Sequence, residues 1–299
     1  MAHKSVLSIE QLKEVASAFA GATLIIDGKN LTHRSAHAVK DNAKIAFSRT
    51  IQSICMAIDI FKPHRVIMAW DDSRSELWRT KQYPAYKEKR KSDPIHIQIV
   101  NYIQDVLINI ADHFGIHTLW VQTQEADDMI AAACHAIDGH VVISSNDGDM
   151  IQLLALGNVV IYDQATRRIH THDSMDQFKI QNSAKLKALE GDISDNISGY
   201  VGIGEVKAAK ILKNNNLDEF LATCGAERFE FNLSLVDLLN SPYLTGNIEI
   251  VKAELERPLT INASEGVKIA ISKKTSTSDS WPSDLARHMR RVKDQWQSK

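Results

Sequence analysis

"EADDMIAAACHAIDGHVVISSNDGDM", residues Glu125 to Met150, places two tight acidic clusters on either side of an apolar stretch: Glu125, Asp127 and Asp128 before it, Asp147 and Asp149 after it. Between the clusters the apolar residues are spaced first as a helix, Ala126 to Ile137, and then as a continuous strand, "HVVIS". Like charges ~5 Å apart at an effective dielectric of about 20 repel by roughly 3 kcal/mol per pair. The chain therefore either holds the clusters apart in water or gathers them around something positive. The fold decides which.

The pattern around this stretch answers half of the question. "ATLIID" ends at Asp27, "RVIMAWDD" at Asp71 and Asp72, and "HVVISSNDGD" at Asp147 and Asp149, with "HTLWVQ" and "NVVIYD" as two further runs of the same kind. Helical spacing of Ile, Met, Ala and Phe separates them, as in Ala43 to Phe61. Continuous apolar strands alternating with helices predict an α/β domain over residues 1–181, a central mostly parallel sheet with helices on both faces. Functional groups in such sheets gather beyond the carboxyl ends of the strands, where Asp27, Asp71, Asp147 and Asp149 all fall. At the N-terminus, "SIEQLKEVASAF" reads as a helix capped by Ser8 with Leu12, Val15, Ala16 and Phe19 on one face, not as a signal peptide.

From about Asn182 the pattern turns to helices and short turns, a helical module over residues 182–240. Residues 241–299 read as a C-terminal extension: a Ser/Thr-rich linker at 272–284, then the basic helix "LARHMRRVKDQWQ". A solvated helix is the simplest reading of that end, with contact to DNA or a replication protein as the alternative. The balance of 35 Lys+Arg against 37 Asp+Glu excludes no partner class. Cys55, Cys134 and Cys224 are scattered without a CxxC, which argues against a disulfide framework or a zinc knuckle and suits a reducing cytoplasm. No apolar run of ~18 residues suggests a membrane span, and a monomer is the default expectation.

Nine acids are candidate ligands: Asp27, Asp71, Glu125, Asp127, Asp128, Asp147, Asp149, Asp192 and Asp195. All are hard oxygen donors, which favours Mg²⁺ or Mn²⁺ over zinc. So much charge suits two ions, the arrangement used for in-line phosphodiester hydrolysis. Each cluster alone has a plainer reading, as helix-start acids that complement the dipole or as an acidic surface turn; together, at strand ends of one sheet, they point to metal. "RTKQYPAYKEKRK" adds Arg79, Lys81, Lys87, Lys89, Arg90 and Lys91 with Tyr83 and Tyr86 interleaved, cations for a phosphate and rings for an unpaired base. "GYVGIGEVKAAKIL" sets Gly202 and Gly204 in a turn before a helix, with Lys207 adding charge, a device that grips duplex backbone without reading sequence. His113 with His117, and "HTHD" at His170 to Asp173, read as ordinary polar positions.

These motifs resemble the flap endonuclease (5′-nuclease) superfamily, including bacterial polymerase-associated 5′-nuclease domains and phage 5′-exonucleases of the ribonuclease H type. The matching pieces are "IIDGKN", "AWDDSRSELWR", "YPAYKEKR", "EADDMIA", "ISSNDGDMIQLL" and "GDISDNISGYVGIGEVKAAKIL", in family order, with "NLSLVDL" as a weaker last piece; together they cover about residues 22–240. The resemblance implies a helical arch over the site, at about residues 79–96, and a helix-three-turn-helix module. It implies two Mg²⁺ ions, for which Mn²⁺ substitutes, and cleavage near the junction of a 5′ single strand with duplex, in DNA replication and RNA primer removal. Carried over by position, Asp27, Asp71, Glu125, Asp127, Asp128 and Asp147 belong to the first metal group, and Asp149, Asp192 and Asp195 hold the second. Lys87 and Arg90 match arch-base cations that contact the scissile phosphate, with Tyr86 beside them supporting base positioning. The Gly202–Gly204 turn matches the duplex-binding hairpin, where the family also often binds K⁺. Two departures stand out: Lys29 replaces a small or hydroxyl residue in "DGKN", and Pro94 interrupts the arch before a long amphipathic stretch that packs on the sheet.

Two competing functions share these acids. A PIN-type ribonuclease acting on single-stranded RNA would not need the hairpin. A non-catalytic protein binding branched DNA would not need the full carboxylate set.

Overall fold

The computed structural model describes residues 8–39, 42–90, 93–273, 275 and 280–297, with side chains to residue 292. Helix α1 (Ile9–Ala16) starts with a capping box in which Ser8 and Gln11 exchange side chain–backbone hydrogen bonds, and it buries Leu12 and Ala16. Val15 is 46% exposed rather than on that buried face. There follow β1 (Thr23–Asp27), α2 (Gly28–His37), α3 (Ala43–Phe61), β2 (Arg65–Trp70), α4 (Trp78–Gln82), α5 (Pro94–Ile110), β3 (His117–Trp120), α6 (Ala126–Ala136), β4 (Val141–Ser144), β5 (Val159–Asp163) and β6 (Arg168–His170).

The six strands form one sheet in the order β3-β2-β1-β4-β5-β6. Only β6 runs antiparallel to its neighbour. Successive side chains on a strand point to opposite faces, and the sheet uses both. Leu24, Ile26, Val66, Met68 and Val142 enter a core shared with α1, α3 and α5. Ile25, Ile67, Ala69, Val141 and Ile143 enter a second core beneath α6. Buried on both sides, the strands read as continuous apolar runs.

Pro94 opens α5 rather than interrupting an arch: Asp93 caps the helix, and proline at the first turn gives up only an unused N–H. Ile99, Ile103, Val106 and Ile110 then pack on the sheet, as the amphipathic pattern predicts. Among the described residues, only turns over 83–90 stand between α4 and α5. Lys91 of the expected arch lies outside the described residues.

The helical module comprises α7 (Gln177–Glu190), the β7 (Gly191–Asp192) and β8 (Ile197–Ser198) hairpin, α8 (Glu205–Lys213), α9 (Leu217–Cys224) and α10 (Glu227–Val236). The boundary expected at residue 182 falls inside α7. After it come α11 (Leu244–Glu256), α12 (Ala263–Ser272) and α13 (Trp281–Gln297). Helix α13 corrects the reading of the C-terminal end. It starts within the expected linker, and Trp281, Leu285, Met289 and Val292 are buried in the first core. Trp281 meets Phe47 edge-on at 5.1 Å. Spacings of four, four and three residues put these side chains on one face, so the basic residues occupy only the other. Among the described residues, no helix is long and apolar enough to cross a membrane.

Candidate active site

Parallel pairing brings the ends of β1, β2 and β4 side by side, and the acids follow. Asp27 ends β1 and caps α2, its Oδ1 accepting from the Asn30 N–H at 2.9 Å and its Oδ2 from the Ser145 hydroxyl at 2.8 Å. Gly28 must be glycine, because a Cβ there would lie 2.7 Å from the Trp70 ring. Asp71 accepts from the Ala126 N–H at 2.8 Å, which ties the end of β2 to the start of α6. Asp147 accepts from the Asp149 N–H at 2.9 Å in the turn after β4. Seven of the nine predicted acids (Asp27, Asp71, Glu125, Asp127, Asp147, Asp149 and Asp195) line one cavity of about 910 Å³.

Charge in this cavity has two poles. Burial, reinforced by Asp71 and Asp147, pushes the Asp27 carboxyl up to about 7 despite its two hydrogen bonds. Burial raises Asp127 well above the usual carboxylate range, helped by Asp147, Asp27 and Glu125. Asp71 is raised by burial and by Glu125, although Lys29 and Lys87 oppose the shift. Glu125 is the opposite case: burial would raise it, but Lys87 and Arg79 hold it down at about 2.

Lys87 sits in a left-handed backbone conformation with φ 56°. Its N–H donates to the Asp195 carbonyl at 2.9 Å, and its ammonium pairs with Glu125. Arg90 donates to Asp195 Oδ1 at 2.5 Å and to the Ser194 carbonyl at 2.9 Å. Both predicted cations therefore stand at the site, engaged with its carboxylates. Sequence reasoning missed Lys187. From α7 its ammonium bridges Asp149 and, at 2.6 Å, Asp192, and with Ser194 it holds Asp192 at about 2 against burial. Its position five residues before Asp192, near the end of a helix entering the acidic turn, was the available signal.

Three residues predicted at the carboxylate site lie off the cavity wall: Asp192, held by Lys187 and Ser194, Asp128 and Tyr86. Asp128 does not line the cavity. It forks onto the Arg79 guanidinium at 2.6 and 2.8 Å and also accepts from the Trp78 indole and the Glu125 N–H, each at 3.1 Å. Arg79 in turn reaches Glu125 at 2.9 Å and the Leu235 carbonyl at 2.7 Å, with every partner buried. Asp128 and Arg79 form an internal knot rather than a metal ligand and a DNA-facing cation. Tyr86 is buried, its hydroxyl 2.9 Å from both Glu125 and Asp195, so its ring is not an open stacking surface.

The Gly202–Gly204 stretch forms a turn that opens α8. Gly202 has φ +74°, and Gly204 caps α8. Lys207 donates to the Gly202 carbonyl at 2.8 Å, bracing the turn from within. Among the described residues no three carboxylates already converge on one ion-sized point; Lys87 and Lys187 lie between them. The donor set nevertheless fits a hard divalent cation: it is all carboxylate oxygen, and burial with neighbouring acids pushes the carboxyls of Asp27, Asp71 and Asp127 up, a strain that a bound cation would relieve.

A family model described as 5′-3′ exonuclease, N-terminal resolvase-like domain, matches residues 22–184, more than half of the chain. The chain belongs to the 5′-3′ exonuclease family. The 5′-3′ exonuclease of Mycoplasmopsis pulmonis is 29% identical over 64% of this chain, which spans 66% of that relative's length. The flap endonuclease Xni of Shewanella denitrificans is 29% identical over 80% of this chain and 95% of its own. In structure, the phage T5 protein co-crystallised with metal ions superposes with a TM-score of 0.63 at 22% identity, over 83% of this chain and 99% of its own, a likeness of fold. The range matched by the 5′-3′ exonuclease family takes in the acids from Asp27 to Asp149 with Lys87 and Arg90; Lys187, Asp192, Asp195 and the Gly202 turn lie beyond it.

Proposed function

We propose that this chain is a structure-specific 5′-nuclease that hydrolyses DNA phosphodiesters near 5′ single-strand/duplex junctions, using two Mg²⁺ ions for which Mn²⁺ substitutes. The observation that carries this reading is the gathering of carboxylates in one cavity beyond the ends of three adjacent parallel strands, buried at Asp27 and Glu125 and half-buried at Asp71 and Asp127, with Lys87 and Arg90 beside them. Asp27, Asp71, Glu125, Asp127 and Asp147 would hold one ion, and Asp149, Asp192 and Asp195 the other. When bound, two divalent ions supply Lewis acidity to an in-line displacement at phosphorus. Burial raises the carboxyls of Asp27 and Asp127, so an ion held there would compete with protons. Lys87 and Arg90, already paired with Glu125 and Asp195, place positive charge at the cavity wall where a phosphate would replace part of that pairing. The Gly202–Gly204 turn at the start of α8 offers backbone N–H groups to the phosphates of the duplex, and K⁺ bound there would replace the Lys207 ammonium at the Gly202 carbonyl. Flap removal and removal of RNA primers from RNA–DNA hybrids, beside replication proteins, are the roles this chemistry serves.

The test compares labelled 5′-flap, 3′-flap and single-stranded DNA and RNA substrates with Mg²⁺ and with EDTA. Mg²⁺-dependent cutting of the 5′-flap alone supports the reading. Preference for single-stranded RNA would favour a PIN-type ribonuclease instead. Tight binding of branched DNA without any cleavage would leave a non-catalytic binder.

A further inference from the structure

The cavity continues past the carboxylates toward the β3 edge of the sheet. There α5 lines it with Ile97, Asn101, Gln104 and Ile108, and β3 ends in Trp120. Spacings of four, three and four residues set the α5 side chains on one helical face, a wall ~16 Å long. Trp120 is paired in register with the fully buried Trp70, which fixes its backbone, yet its own side chain leaves it 53% exposed. With the Tyr86 ring buried, Trp120 is the large aromatic surface this cavity offers.

The polar groups here differ from those at the carboxylate pole. Asp72 is satisfied by the N–H groups of Ser73 and Thr123, each at 2.8 Å, and Asp105 is paired with Lys273 at 2.5 Å. Gln104 donates to the Asp71 carbonyl at 3.2 Å, which places its amide at the junction of the two poles. Arg74 is exposed and lines the same cavity. An indole face, an aliphatic wall, two amides and one cation match an unpaired nucleotide: a base to stack, base edges to hydrogen-bond and a phosphate to neutralise.

We propose that the α5–Trp120 end of the cavity is a subsite for an unpaired nucleotide of the bound strand, its base stacked on Trp120. The inference rests on the nuclease reading for which strand is bound. Sheet order gives the direction. Trp120 on β3 and Asp147 after β4 are three strand spacings apart, ~14 Å, with Asp71 and Asp27 between them. Lys187, on the first helix of the module that bears the Gly202 turn, pairs with Asp149 at the β4 end of that line. Duplex gripped by that module puts the unpaired nucleotides on the Trp120 side.

The test uses a duplex with a short 5′ overhang, 2-aminopurine being its first unpaired base, bound in EDTA so that nothing is cut. Wild-type protein should quench the probe. Trp120→Ala and Trp120→Leu should abolish the quenching and weaken binding of this overhang about tenfold more than binding of the same overhang made abasic. Trp120→Phe should restore most of both, which also controls for folding. Quenching that survives in Trp120→Leu, or an equal loss for base-bearing and abasic overhangs, would overturn the subsite. A wild-type protein that quenches but never cuts with Mg²⁺ would leave the subsite standing and overturn the nuclease reading alone.

Discussion

Asp127 and Asp128 are neighbours in the first turn of α6, and the fold gives them opposite surroundings. Asp128 faces inward and meets Arg79 in a two-pronged ion pair, with its remaining capacity used by Trp78 and the Glu125 N–H. Asp127 faces the cavity, where desolvation first, and then Asp147, Asp27 and Glu125, push its carboxyl up. A step of about 100° around a helix separates an acid that has its cation built in from one that lacks it. Of these two neighbours, the one turned away from the cavity onto a buried arginine is structural, and the one that lines the cavity is the candidate ligand.

The strongest way to break this comparison is to remove the built-in cation. Arg79→Ala strands the buried Asp128 carboxylate, takes one of two cations from Glu125, and should cost roughly 3–5 kcal/mol in denaturant unfolding. Arg79→Lys should recover only part of that, because an ammonium lacks the planar fork. Next in size, Asp128→Asn should destabilise by about 2–3 kcal/mol, since it removes the charged half of the fork. Asp127→Asn should move stability the other way. In EDTA it relieves repulsion and should stabilise by about 1–2 kcal/mol, while cleavage of a 5′-flap in Mg²⁺ is lost. Destabilisation by both Asn variants would erase the distinction.

A further test is a pH slope in the metal-free protein, modest for each pH unit. Asp27 is raised from 3.8 to about 7, so the folded state holds a proton that the unfolded chain releases earlier. Its contribution to stability is full below about 3.8 and is lost as pH rises to about 7. Wild type should therefore lose stability relative to Asp27→Asn across that window, by at most ~1.4 kcal/mol per pH unit. A flat difference would mean that Asp27 is already neutralised.

Much of this was legible in the sequence, because the strands carry their acids at one end and parallel pairing aligns those ends. Local spacing also put Glu125 and Asp128 on a common face. What it did not show is that this face belongs to Arg79, which lies 46 and 49 residues away in sequence. Arg79 read as one cation in a basic run, and Tyr86 as one exposed ring, because a buried polar group and a solvated one look alike until the chain folds back over them. The C-terminal end failed differently. Trp281, Leu285, Met289 and Val292 form an apolar stripe, but the charges of "RHMRRVKD" outnumber it, and composition outweighed periodicity.

The most direct measurement is titration of Mg²⁺ into wild type, Asp127→Asn and Asp128→Asn by calorimetry, each variant first shown to be folded. The account predicts that Asp127→Asn loses divalent affinity at least ~100-fold, while Asp128→Asn stays within a few-fold of wild type. Equal losses in the two variants, or no binding by wild type, would contradict it.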